Sequence, residues 1–138
     1  MVRIGIDVGL RDTGLAVIQD GVYTEIRKME QYPAMRHVLF LVLRHNQIHV
    51  TIENPHMRNW FGDTGEERKQ GAGYVKAEFE IWVQFFLEHD ISFTSVSPQS
   101  VGSTFDNIQV FKAATGWKKR TSKHARDAAK MIFQYKTK

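Results

Sequence analysis

Arg3-Ile4-Gly5-Ile6-Asp7-Val8-Gly9, followed by Thr13-Gly14-Leu15-Ala16-Val17-Ile18, is the stretch on which the fold turns. Apolar side chains alternate over residues 2–8, with Ile4, Ile6 and Val8 on one face and Gly5 and Asp7 on the other, which is the period of a half-buried strand. The strand ends on a carboxylate, glycine provides a turn, and a second apolar strand starts at residue 14. An acid at a strand end, where the chain leaves the sheet, is well placed to hold a cation.

Outward from this point, 14–19 and 22–29 read as two strands joined at Asp20-Gly21, a strong hairpin signal. Pro33 opens a helix of about a dozen residues, with Val38, Leu39, Leu41, Val42 and Leu43 as its broad apolar face. Ile48 to Glu53 reads as a strand with Val50 and Ile52 inward. Asn54 to Gly73 is polar and bears glycine, so it reads as a long functional loop. A helix from about Gly73 to His89 carries Tyr74, Ala77, Ile81, Trp82, Phe85 and Phe86, and Ile91 to Val96 is a fifth strand. Ser97-Pro98 begins a short helix, and Ile108 to Thr115 forms another that Gly116 ends. The last helix runs from Ser122 to Tyr135, capped by Thr121 or Ser122. A three-stranded meander followed by alternating units predicts one α/β domain over 1–138, a mixed five-stranded sheet flanked by helices.

The chain has 138 residues, 42% of them hydrophobic, with three prolines and no cysteine. That composition argues against disorder, and the absence of cysteine excludes a disulfide framework and thiolate metal ligands. No apolar run is long enough to span a membrane and no signal-peptide pattern is present, so a soluble cytoplasmic protein is expected. The net charge of +4 is unevenly spread. Residues 112–138 hold nine Lys and Arg and one acid, Asp127, whereas the rest holds ten bases and fourteen acids. A basic segment around one carboxylate fits a polyanion such as nucleic acid, and it also fits a solvated surface helix.

Asp7 and Glu53 each end a strand on the face opposite its inward residues. If their strands are neighbours, the two acids share a cleft, at a cost in repulsion that a cation or protons relieve. His124 and Asp127, three apart, project from one face of the last helix. Three carboxylates and an imidazole make a donor set suited to Mg²⁺ or Mn²⁺, and two such ions are a known means of phosphodiester hydrolysis. Each acid taken alone also reads as an ordinary surface residue.

These motifs resemble those of RuvC-type Holliday junction resolvases in the RNase H-like superfamily. Ile4-Gly5-Ile6-Asp7-Val8-Gly9 with Thr13-Gly14 is similar to the family's first motif, and Ile52-Glu53 to its second. Gly71-Ala72-Gly73 resembles the glycine-containing entry to its dimer helix. His124-Ala125-Arg126-Asp127-Ala128-Ala129 resembles the terminal motif. Val8 stands where the family usually has proline, and the chain is shorter than typical cellular members, similar to compact phage-encoded ones. The resemblance implies an RNase H-like fold and a homodimer that cuts four-way DNA junctions with paired symmetric incisions. It implies two Mg²⁺ or Mn²⁺ ions held by Asp7, Glu53, His124 and Asp127, one activating water and one neutralising the leaving 3′-oxygen. A neutral His124 would be required, so metal binding would weaken as pH falls through its titration, and an imidazole ligand favours Mn²⁺.

Lys112, Lys118, Lys119, Arg120, Lys123, Arg126 and Lys130 are candidate phosphate contacts. In the loop Met57-Arg58-Asn59-Trp60-Phe61-Gly62, Arg58, Trp60 and Phe61 are candidates to stack on unpaired junction bases, or to fold into the core. Apolar residues on more than one face of the 73–89 helix suggest a twofold partner surface. Other readings stay open: an actin-like ATPase hairpin, which would need a second domain, a related nuclease acting on RNA or flapped DNA, and a non-catalytic nucleic-acid-binding module.

Overall fold

The structure, a computed structural model, describes residues 1–57, 66–97 and 104–133. Strands β1 (Val2–Asp7), β2 (Thr13–Gln19) and β3 (Val22–Met29) form the expected meander. Asp20 and Gly21 between β2 and β3 have φ of 52° and 83°, the pair of positive values that a two-residue type I′ hairpin requires. Helix α1 (Gln31–Arg44) then carries the chain to β4 (Ile48–Glu53), helix α2 (Glu66–Glu88) carries it to β5 (Phe93–Val96), and α3 (Ile108–Thr115) and α4 (Lys123–Ile132) follow. The sheet order is β3-β2-β1-β4-β5, with β1 antiparallel to β2 and parallel to β4. It is the mixed five-stranded α/β sheet the sequence predicted.

Alternation along the strands sorts two cores onto two faces. Ile4, Ile6, Leu15, Val17, Val50 and Ile52 pack against Val38 and Leu41 of α1 and against Phe79, Trp82, Phe85 and Phe86 of α2. On the other face Ala16, Ile18 and Ile26 meet Ala125, Ala128, Ala129 and Ile132 of α4 and Phe111 of α3. The three alanines leave α4 without bulk on its inner side, so it lies close to the sheet. Two glycines complete the approach: a Cβ on Gly5 would run into the Ala128 carbonyl, and one on Gly14 into the His124 carbonyl. Near its far end, α4 is fastened by side chains from the sheet. Arg3 Nη2 donates to the Ile132 carbonyl and Tyr23 Oη to the Ala129 carbonyl, both at 2.7 Å, satisfying acceptors that a helix C-terminus leaves over.

Several boundaries differ from the sequence reading. α2 starts at Glu66, so Gly71 and Gly73 lie inside the helix instead of opening it. α1 starts two residues before Pro33, which sits in the first turn where no intrahelical N–H is needed. Leu43 leaves the apolar face of α1 and is 79% exposed, while Ala34 takes a buried place. β5 starts at Phe93, although Ile91 just before it is buried. α4 ends at Ile132, and the expected helix at Ser97-Pro98 and the extension to Tyr135 fall outside the described residues. No helix among the described residues is long and apolar enough to cross a membrane.

Candidate active site

The parallel register of β1 and β4 runs from Val2↔Ile48 to Ile6↔Ile52. The next residue on each strand is Asp7 and Glu53, so the two carboxylates leave adjacent strands at one level and, by alternation, on one face. That face is the one α4 covers. Gly14 lies opposite Asp7 in β2, and the missing side chain at Gly14 is what lets the first turn of α4 settle over the strand ends. Gly14 therefore acts by close approach and not as part of the turn after β1. A strand-interior glycine on the same face as Asp7 was the signal for this, but it needs the knowledge that a helix crosses there. The turn itself is tied by Thr13, fully buried, whose hydroxyl donates to the Gly9 carbonyl.

Ser122 caps α4, its Oγ accepting from the Ala125 amide at 3.2 Å. The cap fixes the start of the helix, and so places His124 and Asp127. His124 Nδ1 lies 2.8 Å from Asp7 Oδ2. An ionised carboxylate only accepts, so Nδ1–H is the donor and Nε2 is the nitrogen left with a lone pair. Asp127 is held from its own helix. Lys123 Nζ donates to Oδ2 at 3.1 Å, and Lys130 Nζ lies 3.2 Å from Oδ1 as an ion pair without hydrogen-bond alignment. The hydrogen bond to Asp127 pushes the Lys123 ammonium up from its usual range.

Asp7 is 8% exposed. Burial above all pushes its carboxyl up from 3.8 to about 6, the His124 hydrogen bond pulls it back, and the charges of Glu53 and Asp127 raise it further. Glu53, His124 and Asp127 thus all lie close enough to act on the charge of Asp7. Among the described residues no three His, Asp or Glu side chains form a ready-made metal cage. The donor chemistry nevertheless fits a hard divalent cation. Asp127 Oδ1 is buried and accepts no hydrogen bond, and Asp7 is a buried acid crowded by two others, a strain that a cation relieves.

The expected phosphate contacts divide in two. Lys112, Lys118, Lys119 and Arg120 are exposed, with Lys119 over the Trp117 ring at 5.8 Å. Three others are engaged within the protein. Lys123 pairs with Asp127. Arg126 Nη1 donates to the carbonyl and hydroxyl oxygens of Thr121, each at 3.1 Å, bracing the loop before α4. Lys130, only 7% exposed in its side chain, lies between Asp127 and Asp106 at 3.2 and 3.6 Å, turned to these carboxylates where a phosphate contact was expected. Arg58, Trp60 and Phe61 lie outside the described residues.

This architecture matches solved structures of RuvC from Thermus thermophilus. One, in complex with a Holliday junction substrate, has a TM-score of 0.64 and 16% identity over 96% of this chain and 91% of that chain. Another has a TM-score of 0.61, again at 16% identity, over 96% and 92%. The fold is that of RuvC. No protein-family model matches the sequence, and no curated protein is detectably similar to it. The RuvC-type fold is thus shared at only 16% sequence identity.

Proposed function

We propose that this chain is a divalent-metal-dependent endonuclease that cuts four-way DNA junctions as a homodimer, making paired symmetric incisions. The observation that carries the reading is the convergence of Asp7, Glu53, His124 and Asp127 at one end of a RuvC-type sheet, from two strand ends and one helix turn. Asp7, Glu53, Asp127 and the Nε2 of His124 would hold the metal. When bound, Mg²⁺ or Mn²⁺ would supply an acidified water and charge neutralisation at the leaving oxygen.

The chain's own residues supply the rest. Burial keeps water away from Asp7, which strengthens its interactions. His124 orients that carboxylate through Nδ1. Lys123 and Lys130 fix Asp127 and offset the negative charge of three acids. The exposed Lys112, Lys118, Lys119 and Arg120 favour a phosphate backbone next to the site. On α2, Tyr74, Ala77 and Ile81 recur at helical spacing on the outer face, Tyr74 and Ile81 at 71% and 48% exposure. That stripe is the proposed surface for a second copy, and cytoplasmic action on DNA is the setting this reading implies.

The test is incubation with a synthetic four-way junction, a flap, linear duplex and an RNA–DNA hybrid, each with Mg²⁺ or Mn²⁺. Paired incisions confined to the junction, lost in Asp7→Asn while binding survives, support the proposal. Cutting of the flap or hybrid in preference to the junction would replace it with a related nuclease, and binding without cutting in either metal would make the chain a binding module.

A further inference from the structure

Beside the candidate active site, where β3 meets the loop leading into α4, lies a cavity of about 350 Å³. Ile26, Arg27, Lys28, Arg120, Thr121 and Ser122 line it. Three of these are cationic, two carry hydroxyls and none is acidic. Arg120 makes no ion pair among the described residues. Lys28 pairs with Asp12 at 3.2 Å and Arg27 with Glu25 at 3.3 Å, with Lys28 and Arg27 about half exposed, and such pairs are weak enough to yield to a stronger anion. α4 begins at the cavity. Ser122 Oγ takes the Ala125 amide, so the Lys123 and His124 amides have no acceptor among the described residues and add partial positive charge.

The position matters as much as the charge. Lys28 pairs with Gly14 in β2, and Gly14 with Asp7 in β1. Lys28, Gly14, Asp7 and Glu53 thus follow one another across four strands at one level. With neighbouring strands about 4.8 Å apart, the backbone of Lys28 lies roughly 10 Å from that of Asp7. The rise of about 3.4 Å per nucleotide runs along the helix axis and successive phosphates lie farther apart than that, so the distance reaches only a near neighbour of the phosphate over Asp7. A free nucleotide would want an apolar or stacking wall for its base, and Ile26 alone is too little.

We propose that this cavity seats one backbone phosphodiester of the bound DNA, a near neighbour along the strand of the bond held over Asp7 and Glu53. Lys28 and Arg120 grip that phosphate together and so set where along the strand the cut falls. The inference rests on the reading of the chain as a DNA endonuclease, and assigns Lys28 a role that its charge pattern alone did not suggest.

The test uses the full chain and Lys28→Ala, Arg120→Ala, the double variant, and Arg36→Ala on the opposite side of the sheet. Binding of a labelled four-way junction is measured in EDTA across 50–200 mM salt, and incision sites are mapped to the nucleotide with Mn²⁺. Each single variant should weaken binding about fivefold to tenfold and lower the log–log salt slope by about 0.9, the value for one phosphate. The double variant should lower the slope by no more than either single, because both residues hold one phosphate, and its incisions should spread to neighbouring positions. Arg36→Ala should match the parent. Parental slopes and incision sites in both singles would overturn the proposal, as would slope losses that add in the double, the mark of two independent surface charges. If the double variant does not fold, the singles decide. A parent that binds and cuts while the variants match it removes only the cavity, whereas a parent that binds no DNA removes both readings.

Discussion

Replacing Asp7 with asparagine should make the protein more stable at alkaline pH while abolishing its chemistry. The carboxyl is raised from 3.8 to about 6 in the folded state, so the folded form binds its proton more tightly than the unfolded form. The resulting stabilisation is complete below about pH 4 and is lost as pH rises through 6. At about 1.4 kcal/mol per pH unit, the ionised Asp7 costs about 3 kcal/mol at pH 8. Asparagine can still accept from His124 Nδ1, but the bond loses its ionic character, which returns about 1 kcal/mol. A net gain of about 2 kcal/mol remains for Asp7→Asn at pH 8. Urea unfolding in EDTA at pH 8 and pH 4 reads this directly: the variant should have the higher midpoint at pH 8 and no advantage at pH 4. Added Mn²⁺ should raise the parent's midpoint more than the variant's, because a ligand bound only by the folded state stabilises it. A variant less stable than the parent at pH 8 in EDTA would refute the reasoning, and so would an advantage that persists unchanged at pH 4.

Gly14→Ala places a methyl group against the His124 carbonyl, and lifting α4 to make room should cost about 1–3 kcal/mol. Thermal melting and junction cleavage should both suffer, and a fully active variant at the parental Tm would disprove the close-approach account. Ser122→Ala removes the α4 cap and should cost about 1 kcal/mol, seen as a lower urea midpoint; no change would mean that the cap does not hold the helix start. Ile81→Asp on the outer face of α2 should yield a folded monomer by light scattering with an unchanged circular dichroism spectrum, whereas a persistent dimer would place the twofold surface elsewhere.

Strand positions were legible because apolar alternation and turn residues agreed: Asp20-Gly21 is the hairpin turn, and α3 has the bounds that Ile108 and Gly116 suggested. That Asp7 and Glu53 each end a strand on the polar side was also legible, whereas the adjacency of those strands stood as a condition until the sheet order supplied it. Less accessible was whatever depended on a distant element. Gly71-Ala72-Gly73 resembled a family's glycine-containing helix entry, yet the helix runs through these residues although glycine is a poor helix former. Leu43 looked like core but falls outside the arc that meets the sheet. Lys130 looked like one more solvent-facing base, and only the packing of α4 shows that Asp106 and Asp127 draw it inward. The service of Gly5 and Gly14 is invisible until a helix is known to cross them.

Asp7 and His124 are 117 residues apart in the chain yet in direct contact. Closing so long a loop is slow compared with forming a local hairpin. As a ribosome extends the chain, β1 to β3 can pair early, but the carboxylate at position 7 waits for α4 to be made and docked. A growing polypeptide would thus carry Asp7 without His124 until α4 has been made, and the proposed cutting centre would come into being only as that helix settles onto the sheet.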